Sequence, residues 1–166
     1  MKPKIVLLIY GSGGHKTEME KLITKLYSEE AGLEVKSVGI AENKSFIEHP
    51  MVIETFEQSP LRDKYFSFNN FMRIPRIYFN YFSCYKTIRK KYNVLSVIST
   101  GPGLAIPFSL LFKWKKAKII FIETSSRFES ESYAGKVMYR IADKFYIQNN
   151  SLEIFYPSAI YSGLLL

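Results

Sequence analysis

At 166 residues the chain is long enough for one domain with a substantial core and too short for two nucleotide-binding folds. A net charge of +8 and a pI near 9.4 favour an anionic partner such as phospholipid, nucleic acid or a phosphorylated substrate. A single cysteine, Cys84, excludes an internal disulfide, His15 and His49 lack metal-ligand spacing, and there is neither a signal peptide nor a run near the roughly 18 apolar residues that span a bilayer, so a reduced, cytoplasmic chain with at most peripheral membrane contact is expected.

The first element is the apolar run Ile5 to Tyr10, which stops at Gly11-Ser12-Gly13-Gly14-His15 and gives way to a charged amphipathic segment. This reads as a strand buried on both faces, a tight turn and a helix starting near Lys16 or Thr17. Glycines let a ligand approach the backbone, and the helix start offers free N–H groups and a positive dipole end, so the natural guest is an anion. Lys16 stands where the dinucleotide fingerprint needs its third glycine, and Gly-Lys-Ser/Thr is absent throughout, which disfavours an NAD enzyme and a P-loop NTPase. The bland alternative is a tight turn in which His15 merely caps or solvates the helix.

Thr17 to Glu30 carries Met19, Leu22, Ile23, Leu26 and Tyr27 on one stripe, an amphipathic helix ended by Gly32. Leu33 to Ile40 and Met51 to Phe56 read as strands, joined by a polar loop through Asn43 and Lys44. Tyr65 to Tyr92 then holds ten aromatic residues and six Arg or Lys with no Asp or Glu. That composition suits an anionic lipid interface, with Arg73, Arg76, Arg89 and Lys90 as the charged fringe. The alternative is a long helix kinked at Pro75 whose aromatics pack on the sheet, and at least half of them are expected to do so.

Asn93 to Ser99 is another buried strand, followed by Thr100-Gly101-Pro102-Gly103 and an apolar helix over Leu104 to Phe112. Lys118 to Ile122 ends at Glu123-Thr124-Ser125-Ser126-Arg127, and a helix over Tyr133 to Ile141, a strand near Lys144 to Gln148 and an apolar tail complete the chain. In an open parallel sheet, ligands bind outside the carboxyl ends of the strands, so the three turns can converge on one crevice.

Gly11-Ser-Gly-Gly-His15, Thr100-Gly-Pro-Gly103 with Ile106-Pro107, and Glu123-Thr-Ser-Ser-Arg127 together resemble the asparagine-linked glycosylation protein fourteen family and its bacterial PssD-like branch in capsule and exopolysaccharide synthesis. Ala142-Asp143 into Tyr146-Ile-Gln148, and Tyr156-Pro157, extend the resemblance over nearly the whole chain. It implies a single Rossmann-like α/β domain with a parallel sheet over residues 1–166, similar to the amino-terminal, acceptor-side half of the GT-B glycosyltransferase MurG. The partners it implies are a PssE-like catalytic subunit that binds the UDP-sugar and a polyprenyl-diphosphate-linked sugar acceptor, at the cytoplasmic face of the membrane and without a cofactor. The chain departs from eukaryotic members in lacking an amino-terminal membrane helix, so anchoring would rest on the segment at about 65–92 or on another protein.

Transfer to a hydroxyl of such a lipid needs a base and positive potential for the diphosphate. His15 is expected as base or orienter, with Glu123 as the competing base. Gly11, Ser12, Gly13, Gly14, Gly101 and Gly103 would shape the anion cradle, with Arg127 as a charged contact; the alternative for Glu123 and Arg127 is an ion pair tying a loop to the next helix. Leu164, Leu165 and Leu166 end the chain with no charge after Glu153, and either form a last strand or dock on the partner. Two rival readings are a non-catalytic recruiter and a basic module that stacks single-stranded nucleic acid. The second is disfavoured because the aromatics cluster on one helical segment and no RNA-binding signature is present, so no nucleic acid is expected.

Overall fold

The computed structural model describes residues 1–28, 32–60 and 74–165, with nothing described for the side chain of Ile74. Seven strands form one parallel sheet in the order β3-β2-β1-β4-β5-β6-β7. They are β1 (Lys4–Tyr10), β2 (Ser37–Glu42), β3 (Val52–Gln58), β4 (Asn93–Ser99), β5 (Lys118–Ile122), β6 (Lys144–Ile147) and β7 (Ile160–Tyr161). Among the described residues four helices connect them: α1 (Gly14–Leu26), α2 (Ile74–Lys91), α3 (Ala105–Lys113) and α4 (Tyr133–Ile141), with a short 3-10 helix at Asn150–Ile154.

The order follows from which strands are apolar on both faces. Alternate residues of β1 enter different cores: Ile5, Leu7 and Ile9 pack with α2, α3 and α4 residues such as Tyr81, Phe108 and Met138, while Val6, Leu8 and Tyr10 pack with Met19 and Ile23 of α1. Burying a Leu or Ile this way stabilises by about 1.5–3 kcal/mol each, which makes β1 the axis of the sheet. The chain grows outward from it in both directions, and the switch lies between β1 and β4, which pair from Lys4↔Asn93 to Ile9↔Ser99. Turns after these neighbouring strands open on the same rim.

The main departures from the sequence reading lie at element ends. Helix α1 stops at Leu26, with Tyr27 as its C-cap, rather than continuing to Glu30. Strand β2 begins at Ser37, since pairing to β1 starts at Val6↔Ser37; Leu33 and Val35 are half-buried against the α1 core without joining the ladder. Pro75 stands next to Ile74, the first described residue of α2, so the kink expected at it turns on the residues before Ile74. The part of the aromatic segment before Ile74 lies outside the described residues. Cys84 is buried on α2, and burial pushes its thiol up to about 12.

Of the chain's last residues, β7 pairs with β6 through Tyr146↔Ile160 and Ile147↔Tyr161. Leu165 packs against the α1-side core and its N–H donates to Gln148 Oε1 at 2.9 Å, while Leu164 stays half exposed. Leu166 lies outside the described residues.

Candidate functional site: an imidazole where the turns meet

The turn after β1 brings His15 into the second position of α1, and Gly13 precedes it at φ +64°, a left-handed conformation that favours glycine. No side chain caps α1 and its first turn holds no acid; the Lys16 and Thr17 N–H groups donate to the Gly13 carbonyl, which leaves those of Gly14 and His15 as the uncapped ones, beside Ser12, Gly13 and Gly14, all exposed. The space over Gly13 and Gly14 is open: a Cβ at either would meet nothing within 4 Å.

The turn after β4 closes on the imidazole from the other side. Thr100 Oγ1 donates to the His15 carbonyl at 2.9 Å. Gly101, at φ +111°, lets the backbone run flat against the ring; a Cβ there would lie 2.8 Å from His15 Cε1 and 3.1 Å from Nδ1. Gly11 performs the same service opposite, where a Cβ would sit 3.3 Å from both His15 Cδ2 and Pro102 Cβ, and 2.9 Å from Glu42 Oε2. Gly103 is half-buried at the start of α3, its carbonyl accepting from the Ile106 N–H.

The turn after β5 joins through Glu18, a residue that the sequence reading passed over. Its side chain is only 3% exposed, and Oε1 accepts from Thr124 Oγ1 at 3.1 Å, Ser125 N–H at 2.7 Å, Ser125 Oγ at 2.7 Å and Gln148 Nε2 at 3.3 Å. The other oxygen, Oε2, has no hydrogen-bond partner and stands 3.8 Å from His15 Nδ1, itself buried without a partner. A Glu in an amphipathic helix reads as solvated. The available signal was its spacing, three residues from His15 and four from the core-facing Leu22.

Glu42 is the other residue missed, half-buried at the carboxyl end of β2 and therefore on the same rim. Burial raises its carboxyl above the ordinary 4.5, only partly offset by His15. Burial also opposes ionisation of Glu18, yet His15 and the Ser125 donors together hold that carboxyl below 4.5. For the imidazole, burial pulls the pKa down, but the Glu18 carboxylate, with help from the Thr100 backbone and Glu42, more than reverses it and leaves His15 above its ordinary 6.5.

These directions fix how stability varies with pH. The His15 contribution is complete below pH 6.5 and is lost as pH rises through the higher folded-state pKa. Glu18 has the opposite sign, contributing above 4.5 and losing that contribution as pH falls through its lower folded pKa. Glu42, raised by burial, contributes below 4.5 and loses it as pH rises through its folded pKa. The thermal midpoint should therefore fall as pH is raised from 6.5 through the folded pKa of the imidazole, and His15→Ala should flatten that limb. An equally steep limb in both proteins would assign the titration to another group.

The remaining sequence candidates are placed differently. Glu123 is fully buried: Oε1 accepts from the Thr124 N–H at 3.1 Å, and Oε2 accepts from Ser132 Oγ and Tyr156 OH, each at 2.9 Å. Both oxygens are thus held by internal donors at the junction of β5 and α4, where Ser132 also caps α4 by accepting from Gly135 N–H at 2.8 Å. The ion pair considered for Glu123 and Arg127 is not formed among the described residues; the loop is tied to α4 by these hydrogen bonds instead. Arg127 is exposed, with Nη1 3.4 Å from Ser130 Oγ.

On α2, Tyr81, Cys84, Tyr85 and Ile88 are buried, while Tyr78, Phe79 and Phe82 are exposed and interleaved with exposed Lys86, Arg89 and Lys90. Phe79 is 73% exposed, and Lys86 Nζ lies 4.6 Å over the Phe82 ring. Arg76 is exposed in the first turn, and Arg73 lies outside the described residues. No described helix is long and apolar enough to cross a membrane.

Comparison with known proteins places this arrangement in context. A family model described as "Oligosaccharide biosynthesis protein Alg14 like" matches residues 6–165. The UDP-N-acetylglucosamine transferase subunit ALG14 of Mus musculus is 27% identical, the match covering 97% of this chain and 82% of that protein. For the corresponding subunit of Schizosaccharomyces pombe the identity is 28%, with 98% of this chain and 83% of that protein covered. Among solved structures, Acinetobacter baumannii MurG superposes with a TM-score of 0.56 at 13% identity, over 87% of this chain and 41% of that one. The chain spans about two fifths of that solved protein, and at such identity the likeness is one of fold.

Proposed function

This chain belongs to the Alg14-like family of oligosaccharide biosynthesis proteins, and on that footing we propose that it is the acceptor-binding, membrane-recruiting subunit of a two-component glycosyltransferase in polysaccharide synthesis. A second, PssE-like subunit would bind the UDP-sugar, and neither would transfer alone. The observation that carries this reading is the convergence of the turns after β1, β4 and β5 round His15, with open backbone at Gly13 and Gly14 beside it. The naming of the relatives as UDP-N-acetylglucosamine transferase subunits supports the donor class.

In the proposed reaction, a hydroxyl of a polyprenyl-diphosphate-linked sugar attacks the anomeric carbon of the donor as the bond to the leaving UDP breaks. His15 removes the hydroxyl proton, and the N–H groups opening α1 face the acceptor diphosphate, with Arg127 at the rim. Glu123, with both oxygens engaged, fits the role of a strut better than that of a base. The half-exposed Leu164 is assigned to contact with the catalytic subunit, while Leu165 is held by this domain's own core.

The test is reconstitution: the chain is combined with its partner, UDP-N-acetylglucosamine and other UDP-sugars, and a polyprenyl-diphosphate-linked acceptor, and product is followed by mass. Transfer that needs both subunits supports the reading; transfer by the partner alone at the full rate removes this chain from the reaction.

The exposed face of α2 is assigned to the membrane, since aromatic rings with a cationic fringe settle at an anionic interface. Each Lys or Arg near such a surface contributes about 1 kcal/mol, so reversing Arg76, Arg89 and Lys90 to Glu should weaken binding to phosphatidylserine-containing vesicles by about a hundredfold or more at low salt. Flotation measures this, and binding to neutral vesicles that matches the anionic ones at every salt concentration would remove the electrostatic part.

A further inference from the structure

We propose that Glu18 is the positioning residue of the site, holding His15 with Nδ1 protonated and the Nε2 lone pair turned to the crevice. The inference deepens the reading of His15 as the base and rests on it. It starts from the unequal use of the two carboxylate oxygens. Oε1 takes four donors, three from Thr124 and Ser125 of the β5 turn and one from Gln148, which locks the carboxyl plane from outside α1. Oε2 is left bare, buried and 3.8 Å from a ring nitrogen that is likewise buried and unpartnered.

Two buried polar atoms without partners, facing each other, each carry a desolvation cost, and one proton shared between them removes both costs. Only a proton on Nδ1 can do so, because the carboxylate has none to give. A shortening of a few tenths of an ångström, such as acceptor binding often brings, closes the hydrogen bond.

The walls of the ring select the same tautomer. Gly101 covers the edge at Cε1 and Nδ1, Gly11 covers Cδ2, and 31% of the side chain remains exposed, which leaves Nε2 as the nitrogen open to a substrate. The charged groups facing the imidazole are Glu18 from its own helix and Glu42 from the end of β2. Glu18 is ionised at neutral pH, so it can stabilise the imidazolium that forms as the acceptor hydroxyl gives its proton to Nε2. Glu18 takes no proton itself; the proton leaves Nε2 after the product has gone. This carboxylate–imidazole logic is general to activated hydroxyl nucleophiles. Because the Glu18 donors come from Thr124, Ser125 and Gln148, these three residues act on the reaction without touching the acceptor.

The tautomer can be read directly. The chain has two histidines, so a full-length sample labelled with nitrogen-15 at histidine gives two imidazole spin systems, which His15→Ala assigns. In the parent protein above its pKa, His15 should show the Nδ1–H form, and Glu18→Gln, whose amide can donate to Nδ1, should convert it to the Nε2–H form and lower its pKa. In the reconstituted transferase, the same substitution should lower kcat by about two orders of magnitude or more with KM little changed, as expected of a base held in the wrong tautomer. An unaltered His49 signal checks that Glu18→Gln is folded.

An Nε2–H tautomer in the parent protein overturns the inference with no variant needed. So does a tautomer and pKa that Glu18→Gln leaves unmoved. If the tautomer switches and transfer does not change, Glu18 positions His15 but His15 is not the base, and it is the functional reading that fails.

Discussion

Replacing His15 by alanine should lower kcat of the proposed two-subunit transferase by about 10²- to 10⁴-fold, the usual worth of the positioned general base it is proposed to be, while pull-down of the partner is unchanged. Two features make the effect specific to the chemistry. The ring is packed between Gly11 and Gly101 but belongs to neither hydrophobic core, so its removal opens space at the rim and leaves the sheet intact. The contact that ties the β4 turn to α1 runs from Thr100 to the His15 carbonyl, which alanine retains. Steady-state kinetics on the reconstituted complex, with circular dichroism as the folding control, measure the loss. A kcat within a factor of a few of the parent value would take His15 out of the proton transfer.

The largest effect on stability is expected at Gly135, in the first turn of α4. A methyl group there would overlap Glu123 Oε2 and the Tyr156 hydroxyl, and would come within 2.9 Å of Ser132 Oγ. Glu123 and Tyr156 are both buried, and burial followed by the Glu123 charge pushes the Tyr156 phenol well above its ordinary value, so this hydroxyl stays a donor. None of the three can move aside without surrendering a hydrogen bond to another. Overpacking costs about 1–3 kcal/mol and each buried group left unpaired a similar amount. Gly135→Ala should therefore destabilise by about 3–5 kcal/mol, a large part of the 5–15 kcal/mol typical of a folded domain. Denaturant unfolding reads the change, and Gly13→Ala is the matched control: at φ +64° and ψ −129° it carries backbone strain of about 1–3 kcal/mol, but its Cβ meets nothing. Equal losses at the two positions would mean that the Glu123 cluster yields more readily than its burial implies.

The order of strands and helices was legible because the doubly buried strands are continuous apolar runs, as in Ile5 to Tyr10, and because each ends at a glycine or polar turn. Those turns also pointed to the rim on which the candidate site is drawn, with His15 within it. Element ends were less legible. Leu33 and Val35 alternate with polar residues because they are half-buried, yet pairing begins only at Ser37, so alternation reported burial and not hydrogen bonding. Glu18 and Glu42 were illegible for a stronger reason. What distinguishes Glu18 from Glu20, two residues on and paired with Lys16 at the surface, is contact with Thr124, Ser125 and Gln148, which no local pattern encodes. Glu123 showed the converse: its motif position suggested chemistry, and only the fold reveals that Thr124, Ser132 and Tyr156 engage both of its oxygens.

The strand order also sets a timetable for synthesis. The axial strand β1 leaves the ribosome well ahead of its neighbour β4, which lies beyond α2, so that Ile5 waits for Val94 before the core on that face can close. Contacts so distant in sequence make folding slow, and a nascent chain emerges at about 5–20 residues per second. Throughout that interval Phe79 and Phe82, which stay uncovered even in the finished fold, precede the strand that completes the sheet. A chain arrested before Asn93 would display apolar surface from both β1 and α2, making that window the point at which a chaperone, or a bilayer already at hand, has most to gain by engaging it.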